Sequence, residues 1–407
     1  MSAGMGIYRD EMEVSYAVDF GRDRETMQKR SRYPEYRRKG TAPARVNGMH
    51  CRRNKRWTWG SGRGARMQNV RAFAGCLAFA VASLAANAFG ITIDYRFITN
   101  PGNSANTNGW GAVADIYKMA ATETTNAQYV EFLNTVDAAG TNPNGIYNAS
   151  MGTNTNGGIT FNSGAASGSK YSVKAGTNPA GVAYSSVPVT FVNWFSAARF
   201  ANWLNNGATG GASTETGAYT LNNQTSGAIV ARNPGATVYL PSRDEWYKAG
   251  FYDGSAYKTW ATNSNTTPTN TVTNLSLANA ANFGGTETPS AGPLSAGAYT
   301  NATSAYGLYD MVGSLTEMTD TINSGNTTQY QQFSGNWTIT TGNMASWNSS
   351  ASARFAIGTN NGGALGFRVA AVPEPGTIAL AGMGIAGLAG LDWMKRRKKR
   401  MAARQAA

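Results

Sequence analysis

The chain has 407 residues, enough for one large domain or two, and a formal net charge of +13. The excess sits at the ends: residues 1–71 carry 17 basic against 7 acidic residues, and 395–404 carries seven more basic ones. Residues 89–371 hold 11 basic and 13 acidic residues, so the central region lacks the electrostatic footprint of a nucleic-acid binder. Its cysteines, Cys51 and Cys76, and its one histidine, His50, all precede residue 89. Beyond that point disulfides, thiol nucleophiles and imidazole bases or ligands are excluded.

Residues 1–66 are arginine-rich and aperiodic, and read as a disordered extension or a start codon assigned too far upstream. Residues 67–88 have the anatomy of a signal peptide. Met67 to Arg71 form a short basic region, 72–85 are apolar, and Ala86-Asn87-Ala88 supply the small-x-small cleavage pattern, which places a mature N-terminus at Phe89. From there the chain is rich in Asn, Thr, Ser, Gly and Ala. Residues 91–98 alternate partly and predict a first strand.

Thr125 and Gln128 form a capping box, and Tyr129, Phe132, Leu133 and Val136 follow at helical spacing. Residues 137–186 read as surface loops and short strands. Asn193 caps a second helix whose inner stripe is Trp194, Ala197, Ala198, Ala201 and Leu204, stopped by Asn205-Asn206-Gly207. A loop-rich insert runs to 236, and Ser242 with Glu245 makes a second capping box opening a short helix. Tyr306-Gly307-Leu308-Tyr309-Asp310-Met311-Val312-Gly313-Ser314-Leu315-Thr316-Glu317 fits neither helical nor alternating periodicity. It predicts an irregular core segment whose two glycines allow turns. A strand-like end containing Ser334-Gly335-Asn336-Trp337 follows.

That stretch resembles the GLYDMxGNVWEW signature of the formylglycine-generating-enzyme (sulfatase-modifying factor) family. Four further blocks stand in the family's order: Glu123 to Tyr129 with Phe132-Leu133-Asn134, Pro188 to Leu204, Leu240 to Trp246, and Gly366-Phe367-Arg368-Val369. The resemblance implies an α+β, irregular C-type-lectin-like domain with few helices and short strands over 89–371. Family oxidases use two cysteines and copper shortly after the element matching Gly335-Asn336-Trp337, where this chain has none. Iron-dependent relatives use histidines, also missing here, so neither copper nor iron is expected. The resemblance further implies a calcium site built from Glu317, carbonyls around Val312, Gly313 and Leu315, and a second site at Asn282. Ser314, Thr316 and Met318 replace the family's Asn and two Trp. The alternative for Glu317 is a buried carboxylate bonded within the domain, and Arg354 and Arg368 read as structural partners of carboxylates or carbonyls. Tyr330, Trp337 and Trp347 are candidates to stack on sugars, with 329–361 as the expected ligand face.

At the C-terminus, Val372-Pro373-Glu374-Pro375 breaks regular structure. Residues 376–394 are apolar apart from Thr377 and Asp392, long enough at a 1.5 Å rise for a transmembrane helix of roughly 28 Å. A basic cluster, 395–400, follows and would stay cytoplasmic. Together residues 372–407 resemble the PEP-CTERM sorting signal of Gram-negative bacteria. That implies an exosortase-type membrane transpeptidase acting near Pro373, Glu374 and Pro375, an inner-membrane-tethered intermediate, and release or surface attachment. A permanent tail anchor is the other reading. The chain is therefore expected to be an exported, non-catalytic surface protein that binds exopolysaccharide or another surface ligand. The alternatives are an enzyme of the family with altered chemistry and a purely structural envelope protein.

Overall fold

A computed structural model describes residues 91–284, 292–339 and 354–374, all within the second of the chain's two compact units, residues 85–407. The first strands are β1 (Tyr95–Ile98) and β2 (Tyr117–Ala120), and the first helix is α1 (Asn126–Val136). Thr125 and Gln128 cap α1 reciprocally, as their spacing predicts: Gln128 N donates to Thr125 Oγ1 at 3.3 Å and Thr125 N to Gln128 Oε1 at 2.9 Å. The predicted loop region 137–186 holds a single helical turn, α2 (Ser150–Thr153), the paired strands β3 (Ile159–Phe161) and β4 (Tyr171–Val173), and a 3-10 turn at Tyr184–Ser186.

Helix α3 (Trp194–Asn205) starts at Asn193, whose side chain accepts from Ser196 N at 2.9 Å. The predicted one-sided stripe understates its burial: every residue from Trp194 to Trp203 is buried, Arg199 and Asn202 included. The insert after Asn206 wraps its outer face. Asn202 Nδ2 donates to the carbonyls of Thr214 and Tyr219, and Arg199 forks onto Glu215 at 2.7 and 3.0 Å. Strand β5 (Val238–Tyr239) leads to α4 (Arg243–Phe251), capped by the Ser242 and Glu245 pair.

The remaining strands are β6 (Thr269–Asn270), β7 (Ala280–Ala281), β8 (Thr316–Asn323), β9 (Asn326–Phe333), β10 (Arg354–Ile357), β11 (Leu365–Gly366) and β12 (Ala370–Ala371). One antiparallel sheet runs in the order β1-β2-β12-β5, and a second runs β10-β9-β8-β11 with β11 parallel to β8. The expected strand through Ser334 to Trp337 ends instead at Phe333. Ser334 and Gly335 both take positive φ (81° and 70°), a left-handed turn that no strand continues through.

Between the sheets and helices lies an aromatic core. Phe200 of α3 packs within 5.4 Å of Phe132 of α1 and within 5.3 Å of Phe367. Each such ring contributes roughly 1.5–3 kcal/mol by burial. Phe367 and Arg368 are neighbours on an extended segment and so face opposite ways. The first enters the aromatic core and the second turns to the irregular segment before β8. There the backbone is left-handed at Gly307 (φ 76°), Asp310 (57°), Gly313 (72°) and Ser314 (57°). Gly313 is also required sterically, because a Cβ there would lie 2.3 Å from the Asn282 carbonyl oxygen.

Candidate functional site

Among the described residues, a buried ionic centre, a surface cleft and the exit of the C-terminus bring charged groups together. The ionic centre forms where Glu317, at the start of β8, meets Arg368. Arg368 Nε donates to Glu317 Oε2 and Nη2 to Oε1, each at 2.6 Å. Its remaining donors reach the carbonyls of Ala120 (3.1 Å), Ala121 (3.2 Å) and Tyr309 (3.0 Å). Trp246 Nε1 donates to Glu317 Oε2 at 2.9 Å. Both Glu317 and Arg368 are fully buried, and the fork geometry is the strongest form of the pair. Arg368 is the structural partner its motif suggests.

This geometry does not fit a calcium ion on Glu317. Both carboxylate oxygens accept from a guanidinium cation, which repels a divalent ion placed beside them. Of the expected backbone ligands, the Gly313 carbonyl already accepts from Ser334 Oγ at 2.9 Å, and the Asn282 carbonyl, at the expected second site, accepts from Ser314 N at 2.9 Å. Among the described residues no group of three His, Cys, Asp or Glu side chains is arranged to hold a metal. Val312 and Leu315 bury their side chains in the core beside this network.

Two more carboxylates surround Arg368. Glu123 is 1% exposed, neither of its oxygens has a hydrogen-bond partner among the described residues, and Oε2 lies 3.9 Å from Arg368 Nη2. Asp310 Oδ2 accepts from Gly297 N at 2.5 Å. Burial, then Asp310 and Glu317, push the Glu123 carboxyl well above its ordinary range. Burial likewise raises Asp310 to about 6. One guanidinium faces three buried carboxyl groups, and burial favours the protonated form of Glu123 and Asp310 relative to exposed carboxyls. All four charged side chains are buried, Asp310 being the most exposed at 6%.

A cleft of about 410 Å³ lies at the rim of the first sheet, lined by Asp115, Tyr117, Arg232, Asn233, Tyr239 and Val372 among others. Its floor is a second ion network. Arg232 donates to Glu245 at 2.7 and 3.1 Å and to Asp320 at 2.7 Å, and its guanidinium lies 3.6 Å from the centre of the Tyr239 ring. Tyr219 OH donates to the same Asp320 oxygen at 3.0 Å. With two carboxylates attached, Arg232 has no charge left for an anionic ligand. The cleft instead offers the Asn233 amide and the Asp115 carboxylate among apolar side chains such as Ile116 and Val372. Sequence reasoning did not single out Arg232 or Asp320. The available signal was a lone arginine directly after the apolar run Ile229-Val230-Ala231.

The predicted stacking aromatics require correction. Tyr330 is 0% exposed and Trp337 5%, so neither presents a ring to a sugar. Tyr330 packs from β9 into the core, and Trp337 N donates to the Ser314 carbonyl at 3.1 Å. The expected ligand loop 329–361 contains the end of β9 and all of β10, hydrogen-bonded to each other. Trp347 lies outside the described residues, as do Ala86, Ala88 and Pro375.

The last strand, β12, is hydrogen-bonded on both sides, to β2 and β5. Val372 N then donates to the Thr237 carbonyl at 2.9 Å, and Lys118 of β2 forms an ion pair with Glu374. The first two residues of the predicted sorting motif, Pro373 and Glu374, therefore lie against the sheet. The predicted transmembrane helix over 376–394 falls outside the described residues, among which no helix is long and apolar enough to cross a membrane.

The pattern of the Sulfatase-modifying factor enzyme 1-like domain matches residues 100–372, and the PEP-CTERM protein-sorting motif matches residues 371–398. Among solved structures, the chain is similar to Treponema denticola variable protein 1 at 17% identity and a TM-score of 0.45, over 70% of this chain and 98% of that one. It is similar to CarF at 18% identity and a TM-score of 0.41, over 70% and 99% of the two chains. It is also similar to PvdO from Pseudomonas aeruginosa at 13% identity and 0.38, over 70% and 93%. No curated protein matches the chain.

Proposed function

Because the chain belongs to the sulfatase-modifying factor enzyme 1-like domain family and carries a PEP-CTERM protein-sorting motif, we propose that it is an exported envelope protein whose domain binds a surface polysaccharide and has no catalytic centre. The observation that carries this reading is compositional: from residue 89 to residue 407 the chain has neither Cys nor His. Thiolate redox chemistry, thiolate copper ligation and imidazole ligation of iron are therefore closed to the mature chain. The paired state of the buried charges supports the same reading, since Arg368, Arg232 and Arg199 are each committed to carboxylates of the domain. General acid–base or oxyanion chemistry needs groups free to meet a substrate.

The binding face we favour is the cleft beside Tyr239, not the strand face around Tyr330 and Trp337. A saccharide is recognised by hydroxyl-bonding amides and carboxylates beside an apolar wall, and Asn233, Asp115 and the exposed Ile116 supply those types at one rim. Export would be followed by processing through an exosortase-type sorting enzyme and surface attachment or release.

The test is co-sedimentation of the chain released from producing cells with that organism's own exopolysaccharide, with and without EDTA. Saturable binding that EDTA leaves unchanged is expected, and Asn233→Ala with Asp115→Ala should weaken it. No binding in either condition would reject the ligand-binding part and favour a purely structural envelope protein. Turnover of a cysteine-containing peptide by the purified chain would overturn the non-catalytic part.

A further inference from the structure

The sorting motif has almost no linker. Ala370 and Ala371 are 0% and 3% exposed, held as the inner strand β12 between β2 and β5. Val372 extends the strand by one more backbone bond, to the Thr237 carbonyl. Two residues on, the Glu374 carboxylate pairs with the ammonium of Lys118, a side chain only 9% exposed, whose Nζ also lies 5.2 Å from the centre of the Tyr95 ring. The apolar run of the motif begins at Gly376. The four residues 372–375 thus give at most about 14 Å of extended chain between the sheet and the start of that run.

An enzyme that processes a peptide segment must take several residues on each side of the cut into its own cleft, and such a segment is attacked in its locally opened state. Here the residues on the N-terminal side form an inner strand hydrogen-bonded on both of its sides, and the motif's carboxylate is paired with a domain lysine. We propose that Lys118 is a latch on the sorting motif, holding Val372-Pro373-Glu374 against the folded domain so that the sorting enzyme acts only on the released segment. This rests on reading residues 371–398 as a sorting signal. The latch makes processing report on the state of the domain edge. Whatever loosens β12 or screens the pair between Lys118 and Glu374 speeds maturation, and whatever stabilises the edge slows it.

Pulse-chase of the full chain in its producing organism tests this, following the conversion of precursor to the shortened form. Four chains are compared: the natural sequence, Lys118→Gln, Lys118→Arg, and a chain with Gly-Ser-Gly-Ser inserted between Ala371 and Val372. When cleavage follows the population of the opened segment, losing one partly exposed ion pair should raise the conversion rate about two- to fivefold. Lys118→Gln and the insertion should therefore both convert faster by about that factor, with Lys118→Arg at the natural rate. Conversion of both Lys118→Gln and the insertion chain at the natural rate would overturn the latch while leaving the sorting signal intact. A natural chain that is never shortened would remove the sorting reading itself, and the latch with it. The insertion leaves the domain's side chains untouched, so the comparison does not depend on Lys118→Gln folding normally.

Discussion

Replacing Glu317 by Gln leaves one acceptor oxygen for the two short bonds from Arg368, removes the charge that balances it and turns an amide N–H₂ toward a buried guanidinium. The arginine then keeps three carbonyl contacts, and its nearest carboxyl is Glu123 at 3.9 Å, too far for the short forked bonds it loses. Breaking one side of a buried pair leaves an uncompensated charge and costs about 3–5 kcal/mol. For a domain of this size each kcal/mol lowers the melting temperature by roughly 2–4 °C. The variant should therefore melt on the order of 10 °C below the natural chain in a calorimetric or circular-dichroism scan. Because the geometry assigns Glu317 to Arg368 and not to a metal, the shift should be the same in excess calcium and in EDTA. A loss below about 1 kcal/mol would show that the pair contributes little to the fold, against the cost expected of a broken buried pair. A larger loss in calcium than in EDTA would restore Glu317 as a ligand.

Two further outcomes follow from the same region. Gly313→Ala places a Cβ 2.3 Å from the Asn282 carbonyl oxygen at a φ of 72°, so it should destabilise by roughly 2–4 kcal/mol in urea unfolding. A neutral result would mean the segment can shift away from residues 280–282. The acid cluster sets a pH dependence with a definite sign. Burial raises Asp310 to about 6, from an ordinary 3.8, so the folded state binds its proton more tightly than the unfolded chain does. That contribution is fully present below about pH 4 and is lost as pH rises through about 6, a loss of roughly 3 kcal/mol. Glu123, raised by burial in the same cluster, extends the loss to higher pH. Asp310→Asn keeps a residue type that tolerates the left-handed backbone there. Denaturation midpoints of this variant should change less between pH 4 and 7 than those of the natural chain. Equal changes would place the titration elsewhere.

Much of this fold is legible in the sequence. The three capped helix starts at Thr125, Asn193 and Ser242 depend on residues within three positions of each other, so local sequence determines them. The pairing of Arg368 inside the domain and the irregular course of 306–317 are also readable, from a motif and from the glycines. What escapes depends on contacts distant in sequence. The outer face of α3 reads as solvent-facing because Arg199 and Asn202 are polar, yet residues 214–224 fold back and bond both side chains. Strand β9 reads Asn-Thr-Thr-Gln-Tyr-Gln-Gln-Phe, with too few apolar residues to announce a strand, so Tyr330 reads as a surface ring when pairing with β8 and β10 buries it. Arg232 and Asp320 lie 88 positions apart, and no local pattern links them.

Central to the proposed function is that the C-terminal motif delivers this domain to the cell envelope. The most direct measurement is fractionation of producing cells, with intact-mass analysis of the chain recovered from each fraction. Natural chains should be compared with a Pro373→Ala, Pro375→Ala double variant. Natural chains are expected at the surface or in the medium, shortened by loss of the apolar and basic residues after the motif, and the double variant should be retained in the inner membrane at greater mass. Natural chains found only at full length in the inner membrane, or indistinguishable from the double variant, would contradict delivery by the motif.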